Sequence, residues 1–192
     1  MDKLRLVPDF YCTPVIATLH AAAIEGREKG ICSRHILTVL EHRRILDDVI
    51  GYSHNQYIKE EILIPLALKN TYFSITEVDL DKVMSGYYVG YEEDFKAREY
   101  GMLATAEDVG IFLRALNNGS VFDQGEKEIY PYEYNHGGLV VGYQSLAEYH
   151  KDIDAVVVQF NNTTDFNGYE WNLGEISISR IIKIIQKKKS NE

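Results

Sequence analysis

The sequence predicts an α+β fold, an antiparallel β-sheet flanked by helices. Three features carry that expectation. Helix-spaced apolar residues recur through the N-terminal part and again at 105–119. Two neighbouring strand patterns fill 140–160, and one more helical pattern, 175–186, closes the chain. Helices, then paired strands, then a closing helix is the order of an α+β chain and not of an alternating βαβ one.

Residues 15–29 predict a first helix, with Ala21, Ala22 and Ala23 in its middle and a charged end. Ser33 is placed to cap a second, whose apolar face carries Ile36, Leu37, Val39 and Leu40. Ile45, Leu46, Val49 and Ile50 mark a third amphipathic segment, ended by Gly51. A fourth, 56–64, sets Tyr57, Ile58, Ile62 and Leu63 on its apolar side and stops at Pro65, which has no N–H to donate. The sharpest helix signal follows Thr105. Its hydroxyl can accept from a free N–H of the first turn, where Glu107 and Asp108 also suit the helix dipole. Val109, Phe112, Leu113 and Leu116 give that helix its stripe, and Asn118-Gly119 its left-handed stop.

Strands follow. Residues 140–149 alternate loosely, whereas Ala155-Val156-Val157-Val158-Gln159-Phe160 is the continuous run of a strand covered on both faces. His150-Lys151-Asp152 predicts the turn between them, and 161–165 a polar loop. Ile176, Ile178, Ile181, Ile182 and Ile185 share one broad face of the closing helix. Fourteen tyrosines, most of them between Tyr72 and Tyr149, suit a half-buried sheet face.

Composition narrows the function classes. Lys and Arg number 20 against 29 Asp and Glu, a net charge of −9, and the one basic run is Lys187-Lys188-Lys189. That balance argues against nucleic acid or an anionic membrane surface as partner. No apolar stretch approaches the roughly 20 residues of a membrane span. Cys12 and Cys32 form no Cys-x-x-Cys pair, and the first residues lack an apolar leader, so the expected compartment is the reducing cytoplasm.

Four segments point to chemistry. The first runs from Gly51-Tyr52-Ser53 to Pro65-Leu66-Ala67-Leu68-Lys69-Asn70-Thr71-Tyr72-Phe73. The second is Gly101-Met102-Leu103-Ala104-Thr105-Ala106-Glu107-Asp108. The third is Asn135-His136-Gly137-Gly138-Leu139-Val140-Val141-Gly142-Tyr143-Gln144-Ser145. The fourth is the hairpin Lys151–Val158 that ends at Asn161-Asn162 and leads into the final helix. In this order they resemble the serine β-lactamase-like family of class C β-lactamases, DD-peptidases and related esterases. The resemblance implies one β-lactamase/transpeptidase-like domain over 1–192, with 1–50 a remnant of the helical part and 51–192 the sheet-and-helix part. Family members are much longer, so it also implies a truncated helical lobe. Glycines at 137 and 138 leave a strand edge that a substrate backbone can approach closely. In the family that edge aligns the substrate and supplies an oxyanion-hole N–H. His136, Gly137, Gly138 and Leu139 are thereby the implied substrate-binding residues, with His136 where relatives carry a Lys. Taken by themselves, the same residues describe a bulge with a surface histidine.

The family's acylation chemistry needs a Ser with a Lys three residues later, side by side on one helix face, so that a neutral amine can take the Ser proton. No Ser or Thr in this chain has a Lys three residues on. Thr18-Leu19-His20-Ala21-Ala22-Ala23-Ile24 resembles the helix that the motif opens, which sets Pro14 at the nucleophile position and Ala17 at the Lys position. Neither can do the chemistry. Tyr-x-Asn, the family's second motif, is also absent, and Tyr52-Ser53-His54-Asn55 comes nearest to it. On this reading the segment that carries Tyr-x-Asn is deleted between about Arg44 and Ile45.

The expectation is therefore a degenerate hydrolase homologue without acylation, open to a small-molecule or peptide ligand. The alternatives are an active hydrolase of small esters, amides or peptides, or a non-enzymatic interaction module. Surviving chemistry would draw on Ser53, Tyr52 and His136, with Cys12 as a further nucleophile. Loss of the helical lobe would bare apolar surface and favour a homo-oligomer. His35 and His42 lie near one helix face without a completing Cys or carboxylate, so no metal and no cofactor is expected. Glu60-Glu61, Asp79 with Asp81, and Glu92-Glu93-Asp94 read as solvated charge.

Overall fold

The computed structural model describes residues 11–12, 47–98, 101–122, 135–165 and 169–191. The helices expected at 15–29 and after Ser33, and the positions of Pro14, Ala17, His35 and His42, lie outside the described residues.

Helical residues 47–50 end at Gly51, whose φ of 79° is the left-handed stop expected there. Helix α1 (His54–Ile58) starts two residues earlier than its apolar pattern, because Ser53 caps it by accepting from the Asn55 amide at 3.3 Å. It runs directly into a π-helical turn, Lys59–Leu63, in which the Ile64 amide bonds the Lys59 carbonyl five residues back. Pro65 explains the widening. Its ring would crowd the carbonyl of residue 61, and its missing N–H breaks the regular ladder.

Three small sheets follow. Strands β1 (Tyr11–Cys12), β2 (Thr71–Tyr72) and β4 (Leu103–Thr105) form one sheet in the order β1-β4-β2, all antiparallel. A parallel pair joins β3 (Tyr87–Tyr88) to β8 (Thr163–Thr164). The third sheet is the antiparallel meander β5 (His136–Val140), β6 (Tyr143–His150) and β7 (Ala155–Asn161). The stretch expected as one strand at 140–149 is β6 together with the turn before it and the last residue of β5. Val141-Gly142 turns between them, and Gly142 takes the positive φ of 91° that the turn needs.

Helices cover both faces of this meander. Helix α2 (Ala106–Asn118) is capped as expected, with the Thr105 hydroxyl accepting from the Asp108 amide at 3.3 Å and Gly119 at φ 83°. Its Val109 and Leu113 pack on Ala104 and Ala147, with Val156 and Val158 beside them. Helix α3 (Tyr169–Lys189), longer at both ends than its isoleucine stripe, lies on the other face. There Ile178 and Ile182 meet Leu146 and Val157. Each fully buried Ile contributes about 2–3 kcal/mol. Strand β7 is covered on both sides, which accounts for its unbroken apolar run. Among the described residues no helix is long and apolar enough to cross a membrane. The architecture is the α+β arrangement the sequence predicts.

Candidate functional site

The site implied by the glycine-rich segment is strand β5. In the order β5-β6-β7 it stands at the sheet margin, bonded to β6 and to no other described strand on its far side. The register sets His136 against Ala147, Gly137 against Leu146, Gly138 against Ser145 and Leu139 against Gln144. Alternation then turns His136 and Gly138 toward the face covered by α2, and Gly137 and Leu139 toward the face covered by α3. His136 and Gly137 are half-buried, Gly138 is buried and Leu139 is 39% exposed. The bulge that the same residues could have described does not form: all five positions from His136 to Val140 have a one-to-one partner.

Rigid packing holds this strand in place. The buried Tyr143 opens β6, and its hydroxyl donates to the Met84 carbonyl at 2.6 Å. Its ring fills the space over Gly86, where an added Cβ would come within 2.4 Å. Thr164 clamps the hairpin turn by accepting from the Gly142 amide and donating to the Val140 carbonyl. On the α3 face, Asn161 donates to Gln144, and Gln159 donates to Asn161.

The other candidates sit elsewhere. Ser53 is the cap of α1, and Tyr52 is 39% exposed in the turn before it. Cys12 lies in β1 opposite Ala104. A pair that sequence reasoning missed is Asp47 with His54. Asp47 Oδ1 accepts from the His54 amide and lies 2.8 Å from His54 Nδ1. These two bonds, backbone first, hold the Asp47 carboxyl below its ordinary pKa. A neutral ring that donates from Nδ1 to this carboxylate would present its Nε2 lone pair, the geometry of an oriented base. Among the described residues, no hydroxyl or thiol bonds that nitrogen. The separation of seven residues across a Gly turn was the available signal. Among the described residues no group of three His, Cys, Asp or Glu side chains converges to hold a metal.

With this geometry in view, comparison with solved structures is informative. D-amino acid amidase from Ochrobactrum anthropi SV3, complexed with L-phenylalanine amide, superposes with a TM-score of 0.65 at 17% identity, over 86% of this chain and 59% of that one. The same enzyme complexed with D-phenylalanine gives 0.61 at 19% identity, over 83% and 62%. A D-stereospecific amidohydrolase from Streptomyces sp. gives 0.51 at 17%, over 63% and 47%. The chain shares their fold. That is the β-lactamase-like α+β fold expected from the four segments. The chain spans about three fifths of the amidase's length. No protein-family model matches the sequence, and neither does any curated protein sequence.

Proposed function

We propose that this chain is a non-acylating relative of the serine hydrolases that keeps the β5 margin as a ledge for a small amide or peptide backbone. One observation carries the reading. Among the described residues, no strand pairs with the outer edge of β5, and its glycines at 137 and 138 leave room for an extended ligand to approach the backbone, as in strand-addition binding. On the sequence side, Pro14 and Ala17 stand where the family's nucleophile and its Lys belong, and neither can attack or deprotonate. The Ser53 hydroxyl is engaged as a helix cap, which speaks against the active-hydrolase alternative.

Titration of the 15N-labelled protein with D-phenylalanine amide tests the ledge. Shifts centred on residues 135–147, abolished by Gly137→Val, are expected. No ammonia should be released, nitrocefin and p-nitrophenyl acetate should remain intact, and a fluorescent penicillin should leave no adduct. A stable acyl adduct would overturn the proposal. A second reading, a homo-oligomer, is favoured by the apolar side chains that α3 turns outward. Leu173, Ile176 and Ile184 are 62%, 47% and 69% exposed. A monomer by light scattering would refute it.

A further inference from the structure

A second place in the molecule is built to receive a ligand. Between α1 with its π-turn and strand β2 lies an open cleft of about 830 Å³. Drug-sized ligands occupy roughly 300–1,000 Å³, so the space exceeds a single solvent-filled dent. Its floor is apolar: Leu63 and Leu68 are buried and Phe73 packs on them. Its rim carries two cations, Lys59 and Lys69, and two carboxylates, Glu60 and Glu77.

Two irregularities of the backbone wall this same cleft. One is the π-turn Lys59–Leu63, a rare form that tends to occur at functional sites. The other is Ala67, which sits at φ 54° although it has a Cβ to clash there. Pro65 rules out a regular continuation of α1 through this stretch. Instead the Leu68 amide bonds the Leu63 carbonyl five residues back, and the chain wraps under the cleft with Leu63 and Leu68 side by side. Local strain of this kind is retained where the surrounding structure uses it.

We infer that this cleft binds a short peptide with free termini and a bulky apolar side chain. The apolar floor takes the side chain, and rim charges of both signs match the ends of a zwitterion. Among the described side chains, none of Lys59, Lys69 and Glu77 has an ion-pair or hydrogen-bond partner. Among the described residues, Glu60 accepts from the Gln56 side-chain amide at 3.1 Å. This site shares no residue with the β5 ledge and does not depend on it.

The dipeptide phenylalanyl-leucine is the probe, titrated into the 15N-labelled full chain. Shifts are expected in residues 55–77 and not in 135–147. Acetylating the peptide's amino group, or amidating its carboxyl, should each weaken binding about two- to fivefold, the scale of one solvent-exposed charge pair. Lys69→Glu should likewise weaken binding of the free dipeptide. Phe73→Leu, a mild trim of the floor, should also reduce affinity without unfolding the chain. Shifts confined to 135–147, no shifts at all, or equal affinity for blocked and free peptides would each overturn the inference.

Discussion

Asp108 offers the most quantitative test of how the fold is held. It lies in the first turn of α2 and is 3% exposed, and its Oδ2 accepts two hydrogen bonds at 2.8 Å, from the Asn70 amide and the Thr71 hydroxyl. These bonds fasten α2 to β2 across more than thirty residues of chain. A hydrogen bond to an ionised acceptor is worth about 1.5–3 kcal/mol, so removing both sums to about 3–6 kcal/mol. Partial relaxation and water entry trim the expected loss for Asp108→Ala to about 3–5 kcal/mol. Asp108→Asn keeps one acceptor oxygen in place but forfeits the charge, which roughly doubles such bonds. Its cost should be about 1–2.5 kcal/mol. Thr71→Val removes one donor and should cost about 1.5–3 kcal/mol, with a coupling of about 1–2 kcal/mol to Asp108→Ala in a double-mutant cycle. Urea unfolding followed by circular dichroism reads all four variants, provided m is unchanged. The reasoning fails if Asp108→Ala costs under about 1 kcal/mol, or if Asn proves as damaging as Ala.

Two further outcomes follow from the described geometry. Gly86→Ala places a Cβ within 2.4 Å of the Tyr143 ring and should cost about 1–3 kcal/mol, with partial rescue by Tyr143→Leu, read as a shift in the urea midpoint. Burial alone would push the Asp94 carboxyl up, yet bonds from the Lys96 amide, the Ser85 side chain and the Gly86 amide hold it below its ordinary pKa. A depressed folded-state pKa gives stability that is complete above the unfolded value and is lost as pH falls through the folded one. Stability should therefore drop as pH goes below about 4, and Asp94→Asn should flatten that acid limb in pH-dependent urea unfolding. An unchanged limb would refute the assignment.

Where a signal is local, the sequence showed it. The cap at Thr105, the stop at Gly119 and the isoleucine stripe of α3 each depend on residues within a turn or two, and each forms as its pattern predicts. What stayed hidden depends on distant partners. Asp108 reads in sequence as a first-turn acid that suits the helix dipole, and nothing nearby announces that Asn70 and Thr71 will fold against it. Asp94 and Asp79 read as solvated charge, yet each accepts backbone amides at the start of a short 3-10 turn, Asp79 before Leu80–Lys82 and Asp94 before Phe95–Ala97. A carboxylate two residues ahead of an amide is a turn former as readily as a surface charge. The π-turn was half legible: Pro65 marked the end of a helix, but not that the backbone would widen before reaching it.

The same distinction bears on function. The segments that resemble the hydrolase family serve here as structural devices. The Thr-Ala-Glu-Asp segment caps and fastens α2, and Gly142-Tyr143 turns and seals the hairpin beside β5. Each of these has a folding role that needs no catalysis to maintain it. A chain would keep them with or without a reactive pair, because their loss costs stability directly. Retention of such motifs is therefore evidence for the scaffold and is silent about turnover. The glycines at 137 and 138 differ. Neither has a positive φ, so the backbone at these two positions makes no demand for glycine. A strand also gains stability when glycine is replaced by a β-branched residue. If Gly137→Val leaves the fold intact or raises its stability while abolishing ligand shifts on β5, the glycines are kept for binding. If it unfolds the chain, they belong with the structural devices, and the ledge loses its support.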